Sequence, residues 1–258
     1  ISFDHGNNYL KQVTLEYGLA ELKAGLEFNP DPLAKIQYAE AIAKKGSLES
    51  VKALEKALLE EPFWGVRLEV AEALANIKLD QAFTALAKGL NDIDPRVRRA
   101  VISNLAKTKI QASLDLIKPF LKNGDPSYNV EATAASCIGD LAQVLSNQYP
   151  PDGVIQLLQT TLEEKSGWNE VVRSGAIAGL AKIKDSDLAL ETILLYTAPT
   201  TAQPLRLAAI RALGTLGKSQ TKPKTEQILN RLEVIALESF FLTQVSVVNA
   251  LGQIDNTG

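Results

Sequence analysis

EPFWGVRLEVAEALANIK, residues Glu61–Lys78, returns along the chain in altered spellings. Its frame is a Pro-bearing turn and an apolar–Arg pair (Val66-Arg67), followed by Val70, Ala71, Ala73, Leu74, Ala75 and Ile77 at helical spacing. The frame recurs as DPRVRRAVISNLAK (Asp94–Lys107), NEVVRSGAIAGLAKIK (Asn169–Lys184) and QPLRLAAIRALGTLG (Gln203–Gly217). Looser copies are DPLAKIQYAEAIAKKG (Asp31–Gly46), DPSYNVEATAASCIGDLA (Asp125–Ala142) and LTQVSVVNALGQI (Leu242–Ile254). Self-similarity at a near-fixed period marks a solenoid, in which each unit buries its apolar face against its neighbours.

The residues equivalent to Arg67 are Lys35, Arg67, Arg98, Glu131, Arg173, Arg206 and Gln244, separated by 32, 31, 33, 42, 33 and 38 positions. Such intervals suit one helix pair per unit. Four residues past these anchors stand Ala39, Ala71, Ile102, Ala135, Ile177, Ile210 and Val248. Seven past them stand Ile42, Leu74, Leu105, Ile138, Leu180, Leu213 and Leu251. Offsets of four and seven share a helix face, so the two columns form an inter-helix seam. One position further on only Ala or Gly occurs: Ala43, Ala75, Ala106, Gly139, Ala181, Gly214 and Gly252. Small residues there let neighbouring helices approach closely.

Partner helices are expected over Leu48–Leu59, Gln81–Leu90, Ala112–Leu121, Val154–Glu163, Leu188–Thr197 and Glu226–Phe240. A first helix begins after Gly18, with Leu19, Leu22, Leu26 and Phe28 on one face and Asn29-Pro30-Asp31-Pro32 as its stop. Two units are irregular. The fourth anchored helix should run on through Val144 and Leu145 until Tyr149-Pro150-Pro151 breaks it. The sixth carries a polar insertion, Lys218–Lys224, of the kind that projects as a loop. Upstream, residues 1–17 (ISFDHGNNYLKQVTLEY) alternate around a turn-forming stretch. They read as a strand-like remnant that either caps the first helices or ends a preceding β domain, with the helical repeat domain over residues 18–258. The expected fold is thus an all-α, curved α-α solenoid of about seven helix pairs after a short extended segment.

The 258 residues are 46% hydrophobic, enough for a large core, and mean hydropathy is near zero. Net charge is −3, from 27 basic and 30 acidic residues, which does not suit a nucleic-acid binder. No apolar run is long enough for a membrane span. One cysteine, Cys137, excludes an internal disulfide and fits a reducing, cytoplasmic setting. Methionine is absent, position 1 included, and the chain opens in mid-pattern, which reads as a piece of a longer protein.

The D-P-x-V-R-x-x-A frame resembles HEAT repeats. That resemblance implies an Asp–Arg ladder between units, with Asp94 and Arg98 at both ladder positions, Asp31 with Lys35 matching the charges, and Asn169 with Arg173 matching more loosely. Glu131 and Gln244 depart from it, so the ladder is expected to break there. Phe3–Tyr17 (FDHGNNYLKQVTLEY), DPLAKIQYAEAIAKKG and EPFWGVRLEVAEAL together resemble the C-terminal region of bacterial-type M1-family zinc aminopeptidases, His5 replacing the Pro of the family's turn. The resemblance implies a non-catalytic C-terminal domain packed on the catalytic domain of the same polypeptide and bounding the chamber that holds the peptide substrate. Two alternatives are a stand-alone HEAT scaffold that binds a protein and, through a more distant resemblance, a HEAT-like subunit of a bilin lyase.

Metallopeptidase chemistry needs two His one turn apart, a Glu base and a further ligand, whereas His5 is the only histidine here. No catalytic, metal or cofactor residue is therefore assigned, and zinc is expected only in the parent enzyme. Cys137 occupies a packing position that is alanine in four other units, and no companion base suits a nucleophile. Ala212–Ser219 (ALGTLGKS) nearly spells a phosphate loop but lies at a helix end, with Gly217 placed as a C-cap. Candidate peptide or partner contacts are Arg67, Arg98, Arg173 and Arg206, as carboxylate grips, and Trp64 and Trp168, as stacking surfaces at the turns. The competing reading makes the arginines ladder rungs and the tryptophans plugs between units.

Overall fold

A computed structural model describes residues 17–218, 220–238 and 240–255. The expected extended segment, but for Tyr17, lies outside them. The chain divides between Thr108 and Lys109 into two compact units, and every ordered element is helical among the described residues.

The first unit holds α1 (Leu19–Phe28), α2 (Pro32–Lys45), α3 (Leu48–Glu60), α4 (Trp64–Ala75), α5 (Asp80–Lys88) with a 3-10 turn at Gly89–Asn91, and α6 (Pro95–Lys107). Local chemistry fixes the helix starts. Asp31 accepts the Leu33 amide at 3.0 Å and Asp94 that of Arg96 at 2.9 Å, each followed by Pro in the first turn, while Ser47 caps α3 through Ser50. Gly46, at φ 61°, ends α2 in the left-handed region that glycine tolerates. The anchored helices α2, α4 and α6 pack in sequence, and α3 lies against α4 and α5. Ile42, Leu74 and Leu105, from one column, are fully buried, each removal from water contributing about 1.5–3 kcal/mol. Phe28, expected on the inner face of α1, is exposed; Leu22 and Leu26 alone fill that helix's core side.

The second unit comprises α7 (Gln111–Ile117), α8 (Pro119–Lys122), α9 (Tyr128–Leu145), α10 (Asp152–Glu164), a 3-10 turn at Trp168–Glu170, α11 (Val171–Leu180), α12 (Asp187–Leu195), α13 (Gln203–Gly217), α14 (Lys222–Ala236) and α15 (Phe241–Asp255). Here too the anchored helices stack in order, α9 on α11, α11 on α13 and α13 on α15. The extension of the fourth anchored helix to Leu145 is present. Elsewhere prolines redraw the expected bounds. Pro119 splits the helix expected over Ala112–Leu121, whereas Pro223 lies in the first turn of α14, so that Lys222–Lys224, the end of the Lys218–Lys224 insertion, is helix.

The small-residue column brings backbones together. A Cβ built on Gly139 would lie 2.1 Å from the carbonyl oxygen of Gly179, and one on Gly179 2.4 Å from that of Ala135. Gly214 stands likewise against Ala250, 2.7 Å from its Cα. Gly217 is no C-cap: it ends α13 buried against Ile254, whose Cδ1 would sit 2.8 Å from an added Cβ.

These contacts set a stability test. Gly139→Ala should cost about 3 kcal/mol or more in urea unfolding, because backbone rather than a movable side chain must yield. Gly153→Ala in α10 meets nothing within 4 Å and should be neutral or gain up to about 1 kcal/mol. Equal effects at the two sites would mean that α9 and α11 are not in backbone contact.

Candidate functional site

Most of the candidate residues lie on or near the turns that feed the anchored helices, and the same polar device recurs there. A side-chain oxygen two residues before the cap accepts the cap residue's amide: Asn29 from Asp31 at 2.9 Å, Asp92 from Asp94 at 2.8 Å and Asp125 from Ser127 at 2.8 Å. Such Asx turns offer the backbone a partner just where helical bonding has not begun.

Arg67 ties one turn to the next. Its Nη1 donates to the carbonyls of Glu61 and Pro62, at 2.8 and 3.1 Å, in the turn that opens its own helix. Its Nε and Nη2 grip the two carboxylate oxygens of Asp92 at 2.7 and 2.8 Å, in the turn before α6. Only 8% of Arg67 is exposed, so this guanidinium is already engaged, and the Asp92 carboxylate holds its pKa above the usual value. Lys35 makes the corresponding pair with Glu61 at 2.7 Å, and Arg98 donates to the carbonyls of Asp92 and Ile93. Arg206 donates to the Thr197 carbonyl at 2.8 Å and to Glu238 at 2.6 Å, with Arg231 joining at the Thr197 hydroxyl.

Two ladder expectations change. Asp94 directs both carboxylate oxygens to Arg96, at 2.9 and 2.6 Å, and the rung from Arg67 lands on Asp92. Glu131 does not break the ladder but reverses it: the buried carboxylate pairs with Lys165 at 3.0 Å and accepts the Asp125 amide at 3.1 Å.

Trp64 is half-buried, tilted against Phe63 at 5.5 Å and covered by the Arg96 guanidinium 3.5 Å from its ring centroid. Trp168 differs: 68% of it is exposed, on a turn whose Asn169 and Glu170 both adopt left-handed backbone at φ 51° and 56°. Arg173 pairs with Glu170 at 3.0 Å and lies 5.5 Å over the Tyr196 ring, its Nε buried without a hydrogen-bond partner. Trp64, Arg67 and Arg98 belong to the first unit and Trp168, Arg173 and Arg206 to the second. Arg67 borders an open recess of about 340 Å³ with Lys88, Asp92 and Ile93, and Arg206 one of about 230 Å³ with Pro199 and Phe240.

A groove of about 640 Å³ on the first unit was not foreseen. It lies over α2, α4 and the turn after α4, and Glu40, Glu69 and Glu72 line it beside Lys44 and Lys78. Burial, then the nearby Glu72 and Glu40 charges, raise the Glu69 carboxyl above its usual pKa. A sequence trace existed: Glu40 and Glu72 stand in matching Ala-Glu-Ala triplets, five residues past their anchors. Among the described residues no group of three or more His, Cys, Asp or Glu could hold a metal ion. Cys137 is half-buried on α9, and no described helix is long and apolar enough to cross a membrane.

The HEAT-repeat family matches residues 19–106 and 83–181, more than half of the chain. The chain is a HEAT-repeat protein. No curated protein matches it. Among solved structures, Kap121p bound to RanGTP is 14% identical over 93% of this HEAT protein and 33% of that chain, with a TM-score of 0.51. The complex of CpcE and CpcF of phycocyanin lyase from Nostoc sp. PCC7120 is 18% identical over 97% and 98%, with a TM-score of 0.49. Human deoxyhypusine hydroxylase in complex with glycerol is 16% identical over 92% and 96%, with a TM-score of 0.43. The likeness to Kap121p is one of fold alone.

Two measurements probe the turn network. Arg67→Ala strands the Asp92 carboxylate and two turn carbonyls and should cost about 3–5 kcal/mol, with strong coupling to Asp92→Ala in a double-mutant cycle. Asp94 has its pKa lowered from 3.8 to about 2, mainly by the Arg96 hydrogen bond. A depressed folded pKa adds stability above the unfolded value, so this contribution should fade as pH falls from about 4 through about 2. Asp94→Asn should flatten that part of the acid-unfolding curve.

Proposed function

We propose that this chain is a non-catalytic HEAT-repeat scaffold that holds a protein partner, and that the partner is the catalytic domain of its own polypeptide, an M1-like zinc aminopeptidase. In this reading it bounds the chamber that receives the peptide, zinc belongs to the catalytic domain, and the protein works in the cytoplasm. The observation that carries the scaffold part is the use of functional groups within the fold. Arg67 and Arg206 are buried and doubly engaged, and Lys35 and Glu131 are paired across successive turns. The polar residues that recur with the repeat thus hold helices in place.

The peptidase part is supported by residue pattern. Phe3–Tyr17 together with E-P-F-W-G-V-R is the unusual portion; within the latter Glu61–Phe63 form the turn between α3 and α4, Phe63 is exposed, and Trp64–Arg67 open α4. Fold likeness adds nothing to that choice, since one fold hosts many functions.

The test removes this region from the full-length protein and follows hydrolysis of aminoacyl substrates and of peptides of graded length. The expected outcome is a changed length preference, while the isolated 258-residue chain with added zinc hydrolyses none of them. Unchanged activity and unchanged preference after deletion would remove the chamber role. A flanking sequence without H-E-x-x-H would instead favour a stand-alone protein-binding scaffold.

A further inference from the structure

The column four residues past each anchor is fully buried in six successive units, at Ala39, Ala71, Ile102, Ala135, Ile177 and Ile210, each 0% exposed. Its seventh member, Val248 on α15, is 67% exposed. Phe241 and Val245 are exposed on the same stripe, seven and three residues earlier, with Leu237 and Phe240 exposed just before the helix. From Phe241 to Ile254 the chain contains no Lys, Arg, Asp or Glu. An uncharged, apolar stripe at this spacing marks an interaction surface rather than a solvated face.

The other anchored helices show what belongs on it. In the second unit this side of α9 receives α11 and this side of α13 receives α15. Gly139 lies against the Gly179 backbone, and Gly214 against Ala250. The receiving side is alike each time and the incoming side is too: α11 presents Gly175 and Gly179, four apart, to Ala132 and Ala135 of α9. The same positions hold Ala208 and Ala212 in α13 and Ser246 and Ala250 in α15, all buried. The opposite side of α15 is thus occupied by α13, while its Val248 side continues the receiving pattern.

We propose that the Phe241–Val245–Val248 stripe is the docking face for one further helix pair of the same repeat type, carried on the same polypeptide, whose incoming helix has small residues four apart. The commitment to a helix in cis follows from the seam itself, which joins consecutive units of one chain at every instance seen. A helix of this kind brings its backbone close to Val248 and covers the stripe without needing charge complementarity. The inference is independent of the peptidase reading.

The experiment has two arms. Sedimentation equilibrium of the 258-residue chain up to high micromolar concentration is expected to show a monomer. A dimer dissociated by Val248→Glu would assign the stripe to a second copy and overturn the proposal. In the second arm a repeated copy of residues 186–217, the α12–α13 pair, is joined after Gly258 of the full chain. Amide hydrogen exchange along α15 should slow about tenfold or more, with one cooperative unfolding transition. Val248→Glu should abolish that protection and Val248→Ala should keep it. Because Val248 is exposed, the Glu variant of the unextended chain should keep its helical circular dichroism and melting point, which separates lost docking from misfolding. Exchange along α15 that ignores the added pair would sink the idea.

Discussion

Two helix backbones in van der Waals contact leave no room for a side chain between them, and that exclusion organises the second unit of this protein. At Gly139 the nearest atoms belong to the main chain of Gly179, and at Gly175 to that of Ala132. A larger residue at such a site has no rotamer that relieves the clash, because the obstacle is backbone. Close approach then places Ile138 and Leu180 where they are fully enclosed, and the partner helices α10 and α12 both pack against α11.

Polar contacts complete what packing begins. A helix that starts at a buried turn leaves carbonyls and amides unsatisfied, and each such group costs about 1–3 kcal/mol if left so. Arg67 answers two of them and, by reaching Asp92, links the turn of one repeat to that of the next. A buried ion pair alone recovers little after desolvation. Here the pair carries two further hydrogen bonds, so its contribution is geometric as well as electrostatic.

The repeat frame, its columns and the anchored helices were legible because burial against a neighbour imposes the same residue class at the same offset in every unit. Three features were not. Pro119 breaks a helix and Pro223 opens one, and the difference lies in whether a helical turn precedes the ring, which composition does not reveal. Gly217 resembled a C-cap because glycine suits both a left-handed turn and a tight contact. Asp94 looked like a ladder residue, but Arg96, two positions away, reaches it more directly than any neighbouring unit does. The Asx positions Asn29, Asp92 and Asp125 were visible in the spelling and carried a signal that only their hydrogen bonds made plain.

One rung runs against the others. Lys35, Arg67 and Arg206 present a cation to an acid in the following turn, whereas Glu131 presents an anion to Lys165. Repeats with similar cores are therefore not interchangeable. Transplanting the fourth ahead of a turn like that of Asp92 would bury two carboxylates side by side, and placing Arg67 before Lys165 would oppose two cations. Polarity of this kind writes the order of the repeats into the protein, so that a chain with swapped or slipped units meets charge repulsion where the native arrangement has attraction.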